Sequence, residues 1–207
     1  NKFNLIFVAA IMGWVLAGLP GGAFAQNINT PEHFPDPNFR AAVEKFMGVA
    51  PGGAFTAAQA AEKSGFFDCY DWGIKDMAGI EFFTGITGLD CGGNQLTSLD
   101  VSANKALEGL GCSGNPLTSL DVSANTALVD LYCESNQLTS LDVSANTALE
   151  HLDCESNQLT SLDVSANTAL EVLYCDNNQL TSLDVSANKA LEYLDCGDNQ
   201  LTSLDVS

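Results

Sequence analysis

"LTSLDVSANTALEHLDCESNQ", Leu138 to Gln158, decides the fold, because nearly the same residues precede it and follow it. Aligned on its cysteine, the stretch recurs at Cys91, Cys112, Cys133, Cys154, Cys175 and Cys196, each 21 residues from the next. A fixed period of that length marks a solenoid, in which every unit buries its apolar face only against its neighbours. The unit has two halves. One reads L-x-x-L-x-C-x-x-N (Leu149, Leu152, Cys154, Asn157), the other L-x-x-L-x-V-x-x-N (Leu138, Leu141, Val143, Asn146). In both halves the L-x-C or L-x-V step alternates apolar with other residues, which predicts a strand with one buried face.

Working outward, each asparagine stands where the chain must leave the strand. A buried amide there can bond the backbone of the rung above or below. Asn94, Asn115, Asn136, Asn157, Asn178 and Asn199 form one such ladder; Asn104, Asn125, Asn146, Asn167 and Asn188 form the other. The cysteine position accepts a narrow apolar side chain, and a buried thiol behaves as one. Neighbouring rungs lie about 4.8 Å apart, within disulfide range. Side-by-side Cβ vectors nevertheless disfavour that bond, and the C-x-x-C spacing of zinc sites is lacking. The reading is therefore buried free thiols, with disulfides and a thiolate metal ladder as alternatives. Cys69, 22 residues before Cys91, extends the series.

The L-x-x-L-x-C-x-x-N-x-L pattern resembles leucine-rich repeats, and the nested 21-residue form with L-D-V in its second half resembles the bacterial IRREKO class. The resemblance covers about Ile86 to Ser207. It implies an arc-shaped parallel-β solenoid whose sheet side binds other molecules. "FPDPNFRAAVEKFMG" and "IKDMAGIEFFTGITGLDC" are similar to the N-terminal caps of secreted bacterial leucine-rich-repeat proteins. The residues agree with a helical cap. Asp36 can cap a helix with Pro37 at its first position, Phe39, Val43 and Phe46 line one face, and Gly48 stops it. Thr56 and Gln59 make a capping box for a second short helix ending at Gly65. Ile74, Met77, Ile86 and Leu89 approximate a degenerate first rung with one residue inserted. The expected organisation is residues 1–25 as a signal peptide, 26–85 as the cap, and 86–207 as a solenoid truncated at its C-terminus.

The signal reading rests on Lys2, the apolar run from Phe3 to Leu19, and Ala23-Phe24-Ala25 as an A-x-A cleavage site. No further apolar stretch is long enough to span a bilayer, so the mature part is expected to be secreted or displayed at the cell surface. Its loss leaves six basic against 26 acidic side chains. A surface so acidic repels nucleic acid and anionic lipid.

Catalytic motifs are scarce. "GLGCSG", Gly109 to Gly114, matches G-x-G-x-x-G, but Leu110 and Cys112 are rung positions and no βαβ unit follows. Only His33 and His151 are present, so no Ser–His or Cys–His pair suggests itself. The chain reads as a non-enzyme without cofactors. Asp100, Asp121, Asp142, Asp163, Asp184 and Asp205 form an outward acidic column. Solvated, locally bonded carboxylates are the plain reading, with weak Ca²⁺ bridging left open. The Thr97 column and its adjacent serines diverge too much for the T-x-T array of an ice-binding surface.

Variation among the rungs points to a face. "LTSLDVSAN" is unchanged from its first copy to its last complete one, whereas three positions around the cysteine vary. Three before it stand Gly88, Gly109, Asp130, His151, Val172 and Tyr193; just before it, Asp90, Gly111, Tyr132, Asp153, Tyr174 and Asp195; just after it, Gly92, Ser113, Glu134, Glu155, Asp176 and Gly197. Columns two residues apart share one sheet face, and tyrosines among carboxylates suit recognition surfaces; neutral drift at solvent-exposed sites of duplicated repeats is the alternative source of the variation. The candidate binding set is Asp130, Tyr132, Glu134, His151, Asp153, Glu155, Val172, Tyr174, Asp176, Tyr193 and Asp195, with no metal or catalytic residues. It would serve a secreted recognition module for protein or glycan. A targeting or spacer region of a larger secreted enzyme, and a cation-stabilised surface stalk, are the alternatives.

Overall fold

The computed structural model describes residues 25–202 and 204. The proposed signal segment before Ala25, and Asp205 of the acidic column, lie outside the described residues. Among the described residues no helix is long and apolar enough to cross a membrane.

The cap folds as its end signals dictate. Helix α1, Pro37–Met47, begins where the Asp36 side chain accepts from the Asn38 and Phe39 amides, and stops at Gly48, whose φ of 72° only glycine adopts freely. Helix α2, Ala57–Ala61, carries the complete Thr56–Gln59 capping box. It ends at Ala61, short of Gly65, because the chain there joins the sheet. Strand β1, Ser64–Asp68, pairs with β2, Gly85–Asp90. Phe67 and Cys69 of this rung occupy the leucine and cysteine positions, and both are fully buried. The inserted residue is absorbed by a bulge where Gly65 faces Ile86 and Phe66 faces Gly88. Phe34, Phe39, Phe46, Phe55, Phe67 and Phe83 interlock over this open end of the stack, with Phe46 lying flat on Phe67 at 4.4 Å between ring centres.

Five three-residue strands continue the sheet: β3, Gly109–Gly111; β4, Asp130–Tyr132; β5, His151–Asp153; β6, Val172–Tyr174; and β7, Tyr193–Asp195. All seven strands are parallel and run in sequence order. The L-D-V half departs from the sequence expectation. Among the described residues no L-D-V segment forms part of this sheet. Its chain turns immediately, with Asn146 N–H donating to Val143 O at 2.9 Å and Leu149 N–H to Asn146 O at 3.1 Å, so the backbone groups a ladder would use are consumed locally.

Both asparagine ladders form. Asn157 Nδ2 donates to Cys133 O at 3.0 Å and Cys154 O at 3.2 Å, and its Oδ1 accepts from Leu138 N–H at 3.0 Å. Asn146 Nδ2 donates to Val122 O and Asn125 O, but its buried Oδ1 has no partner. Leu138, Leu141, Val143, Leu149, Leu152 and Cys154 are all buried. Each such side chain contributes roughly 1.5–3 kcal/mol before conformational entropy is subtracted. The thiols are free. Burial is the main cause that pushes Cys112 up to about 12, and Cys154 Sγ–H donates to Tyr174 O at 3.4 Å.

Candidate recognition face

Register builds the face. Asp130, His151, Val172 and Tyr193 lie in successive partner positions, as do Tyr132, Asp153, Tyr174 and Asp195. The residues between them, Leu131, Leu152, Leu173 and Leu194, point the other way into or against the core, so both columns face solvent. The ladder continues past the strands: Ser135 N–H donates to Glu155 O, and Ser156 N–H to Asp176 O. That sets Glu134, Glu155 and Asp176 in a third column. Just beyond it Ser135, Ser156 and Asn177 adopt φ of 56°, 53° and 52°, the left-handed turn for which Gly93 and Gly114 stand in the earlier rungs.

Contacts tie the candidate residues together. His151 Nδ1 lies 2.8 Å from Asp130 Oδ1. The Tyr174 and Tyr193 rings meet at 5.0 Å, tilted by 43°. Tyr193 is 48% and Tyr132 43% exposed, large aromatic areas for a soluble surface. Burial, then the Asp130 carboxylate, holds the Tyr132 hydroxyl above its usual range. Asp153 is half-buried, and that burial lifts it to about 6 against the bond it accepts from Glu155 N–H; repulsion from Glu134, Glu155 and Asp176 adds to the rise. The face is aromatic, acidic and partly desolvated.

The opposite acidic column differs. Asp100, Asp121, Asp142, Asp163 and Asp184 each accept from the serine amide two residues on at 2.9 Å. The serine bonds hold Asp100, Asp121, Asp142 and Asp163 below the usual carboxylate range. Local capping therefore accounts for this column. Among the described residues no group of three or more His, Cys, Asp or Glu side chains is placed to hold a metal ion.

Sequence reasoning passed over the N-terminal extension of the face. Phe66 and Tyr70 on the first rung are 63% and 57% exposed. A hollow opens between Phe66 and Tyr132 over Gly88, Gly109 and Gly111. The signal was present as Phe66 standing three before Cys69, and as glycines in two variable columns.

Comparison with known proteins agrees with this geometry. A family described as Leucine Rich repeats (2 copies) matches residues 168–207. The functional domain of InlJ from Listeria monocytogenes, a structure that includes a cysteine ladder, is 35% identical with a TM-score of 0.62, covering 88% of this chain and 50% of that one. The chain has the leucine-rich-repeat fold and is similar to bacterial proteins that carry it. Over 71 residues, 34% of this leucine-rich-repeat protein, it is 43% identical to Internalin J of Listeria monocytogenes, a stretch that is 8% of that relative. The chain thus spans half the length of the InlJ domain and a small part of Internalin J. A Leptospira interrogans leucine-rich-repeat protein, LIC12759, is 28% identical with a TM-score of 0.58, covering 61% of this chain and 35% of its own.

Proposed function

We propose that this leucine-rich-repeat protein is an exported, non-catalytic recognition module that binds a protein or glycan through the solvent face of β4–β7. The contrast between the halves of the rung carries the reading. The L-D-V half repeats without change, while the strand half varies at its outward columns and gathers three tyrosines among carboxylates. Tyr132, Tyr174 and Tyr193 are the proposed anchors, because rigid aromatic area with a hydrogen-bonding tip concentrates binding energy. Similarity to the InlJ functional domain supports this reading, since that domain shares both the repeat and a cysteine ladder.

The test is binding of the labelled chain to an array of extracellular-matrix proteins and glycans. Tyr174→Ala with Tyr193→Ala is expected to weaken the strongest interaction by about tenfold or more. A control pair on the other flank, Thr139→Ala with Thr160→Ala, is expected to leave it intact. The reverse pattern would move the site off the sheet face.

A further inference from the structure

The hollow between Phe66 and Tyr132 shares Tyr132 with the anchors just proposed and extends from it toward the first rung, away from Tyr174 and Tyr193. Its volume is about 470 Å³, within the range of about 300–1,000 Å³ typical of ligand clefts. The two aromatic walls stand three strands apart, about 14 Å at ordinary sheet spacing. At one end the Phe66 ring lies over the glycine floor: a Cβ on Gly88 would come within 2.4 Å of Phe66 Cδ2. At Gly109 a Cβ would meet nothing within 4 Å. The middle of the floor is open.

Charge selects the occupant. Asp90, Glu108 and Asp130 line the hollow, and no lysine or arginine does. Asp90 Oδ1 accepts from Gly92 N–H, and Asp130 Oδ1 meets His151, which leaves lone pairs on both carboxylates for an incoming donor. We propose that this hollow receives an arginine side chain carried on an extended segment of a protein partner. A guanidinium stacks flat on aromatic rings, sheds water more readily than an ammonium, and presents five N–H donors to carboxylates on separate walls. The formal charge of −19 steers a basic segment toward the molecule. A neutral sugar would use the rings but leave three carboxylates without a counter-charge. The inference rests on the recognition reading and adds to it the charge of the partner.

The experiment is a heteronuclear NMR titration of the isotope-labelled chain with acetyl-Gly-Gly-Arg-Gly-Gly-amide. The same peptide carrying neutral citrulline, and a neutral hexasaccharide, serve as comparison probes. The arginine peptide is expected to shift the amides of Gly88, Gly109 and Gly111 saturably, with citrulline about tenfold weaker. Gly109→Phe fills the floor and is expected to abolish those shifts at unchanged melting temperature. Gly109→Ala, which meets no atom, is expected to weaken them while the fold stays intact. Equal binding of citrulline, shifts spread along the Asp100–Asp184 flank, preferential binding of the sugar at Gly109, or wild-type titration of a folded Gly109→Phe chain would each overturn the proposal. If the arginine arm fails while Tyr174→Ala and Tyr193→Ala still lower array binding, the arginine hollow falls and the recognition face stands.

Discussion

Leu149–Asn157 and Leu138–Asn146 share one apolar spacing and end in different structures. The first becomes a strand paired on both sides, and the second turns at once and bonds to itself. Spacing alone therefore specifies which side chains are buried, while the destination of the backbone groups decides whether a ladder forms. The asparagines show the same divide. Asn157 bridges two rungs with both ends of its amide, whereas Asn146 uses only its donor end.

The largest expected effect tests that divide directly. Asn157→Ala strands the Leu138 amide and removes one of two donors from Cys133 O and from Cys154 O, which keep Asn136 and Asn178, and is expected to cost about 2–4 kcal/mol in urea unfolding. Asn146→Ala strands no group, since Val122 O and Asn125 O keep the Asn125 and Leu128 amides, and it removes a buried oxygen that already had no partner, so its cost should be smaller, about 1–2 kcal/mol. Equal losses would show that the Leu138 bond contributes nothing, and the contrast between the ladders would disappear.

A second comparison sets the two narrow core positions side by side. Val143→Ala removes two buried methyl groups and is expected to cost about 2 kcal/mol, while Cys154→Ala should cost about 1 kcal/mol. Iodoacetamide should leave Cys112, Cys133 and Cys154 unmodified in the native chain and modify them after denaturation, because burial raises all three thiols and the thiolate is the nucleophile. Rapid native labelling would mean that the strand half opens far more readily than the stacked geometry allows.

Much of this was legible in residues whose role is local or strictly periodic. Asp36, Gly48, Thr56 and Gln59 announce the cap helices within a few positions of themselves, and the 21-residue interval announces the parallel stack. Strand β1 was hidden because Phe67 replaces leucine and one extra residue breaks the count, a defect the bulge absorbs. The left-handed turn at Ser135, Ser156 and Asn177 was hidden because serine does not advertise positive φ, although Gly93 and Gly114 in the same column do. The tyrosine face could be read because its columns follow from the period. The hollow could not, since its walls come from rungs 66 residues apart at Phe66 and Tyr132 and its floor is defined by missing side chains.

The smallest predicted effect separates two aspartates that occupy the same place between Leu and the narrow residue. Asp142 accepts from Ser144 N–H and is held low by its bonds to Ser144, whereas Asp153 is lifted from 3.8 to about 6, first by burial and then by its acidic neighbours. A carboxyl raised in the folded state favours folding fully below its unfolded value and loses that contribution as pH rises through about 6. A carboxyl lowered in the folded state does the opposite, favouring folding above its unfolded value and losing that contribution as pH falls through the folded one. Asp153→Asn is therefore expected to stabilise the chain at pH 7 by about 1 kcal/mol, the shift being discounted because the group is only half-buried. The advantage should vanish toward pH 4. Asp142→Asn should show no such gain at pH 7, and its deficit relative to the parent chain should shrink only at lower pH. Unfolding curves of the two variants and the parent across this range would place the aspartates in opposite classes. Parallel pH profiles for the two variants would mean that the strand-side carboxylate is as well solvated as its counterpart, and the desolvated character assigned to the tyrosine face would go with it.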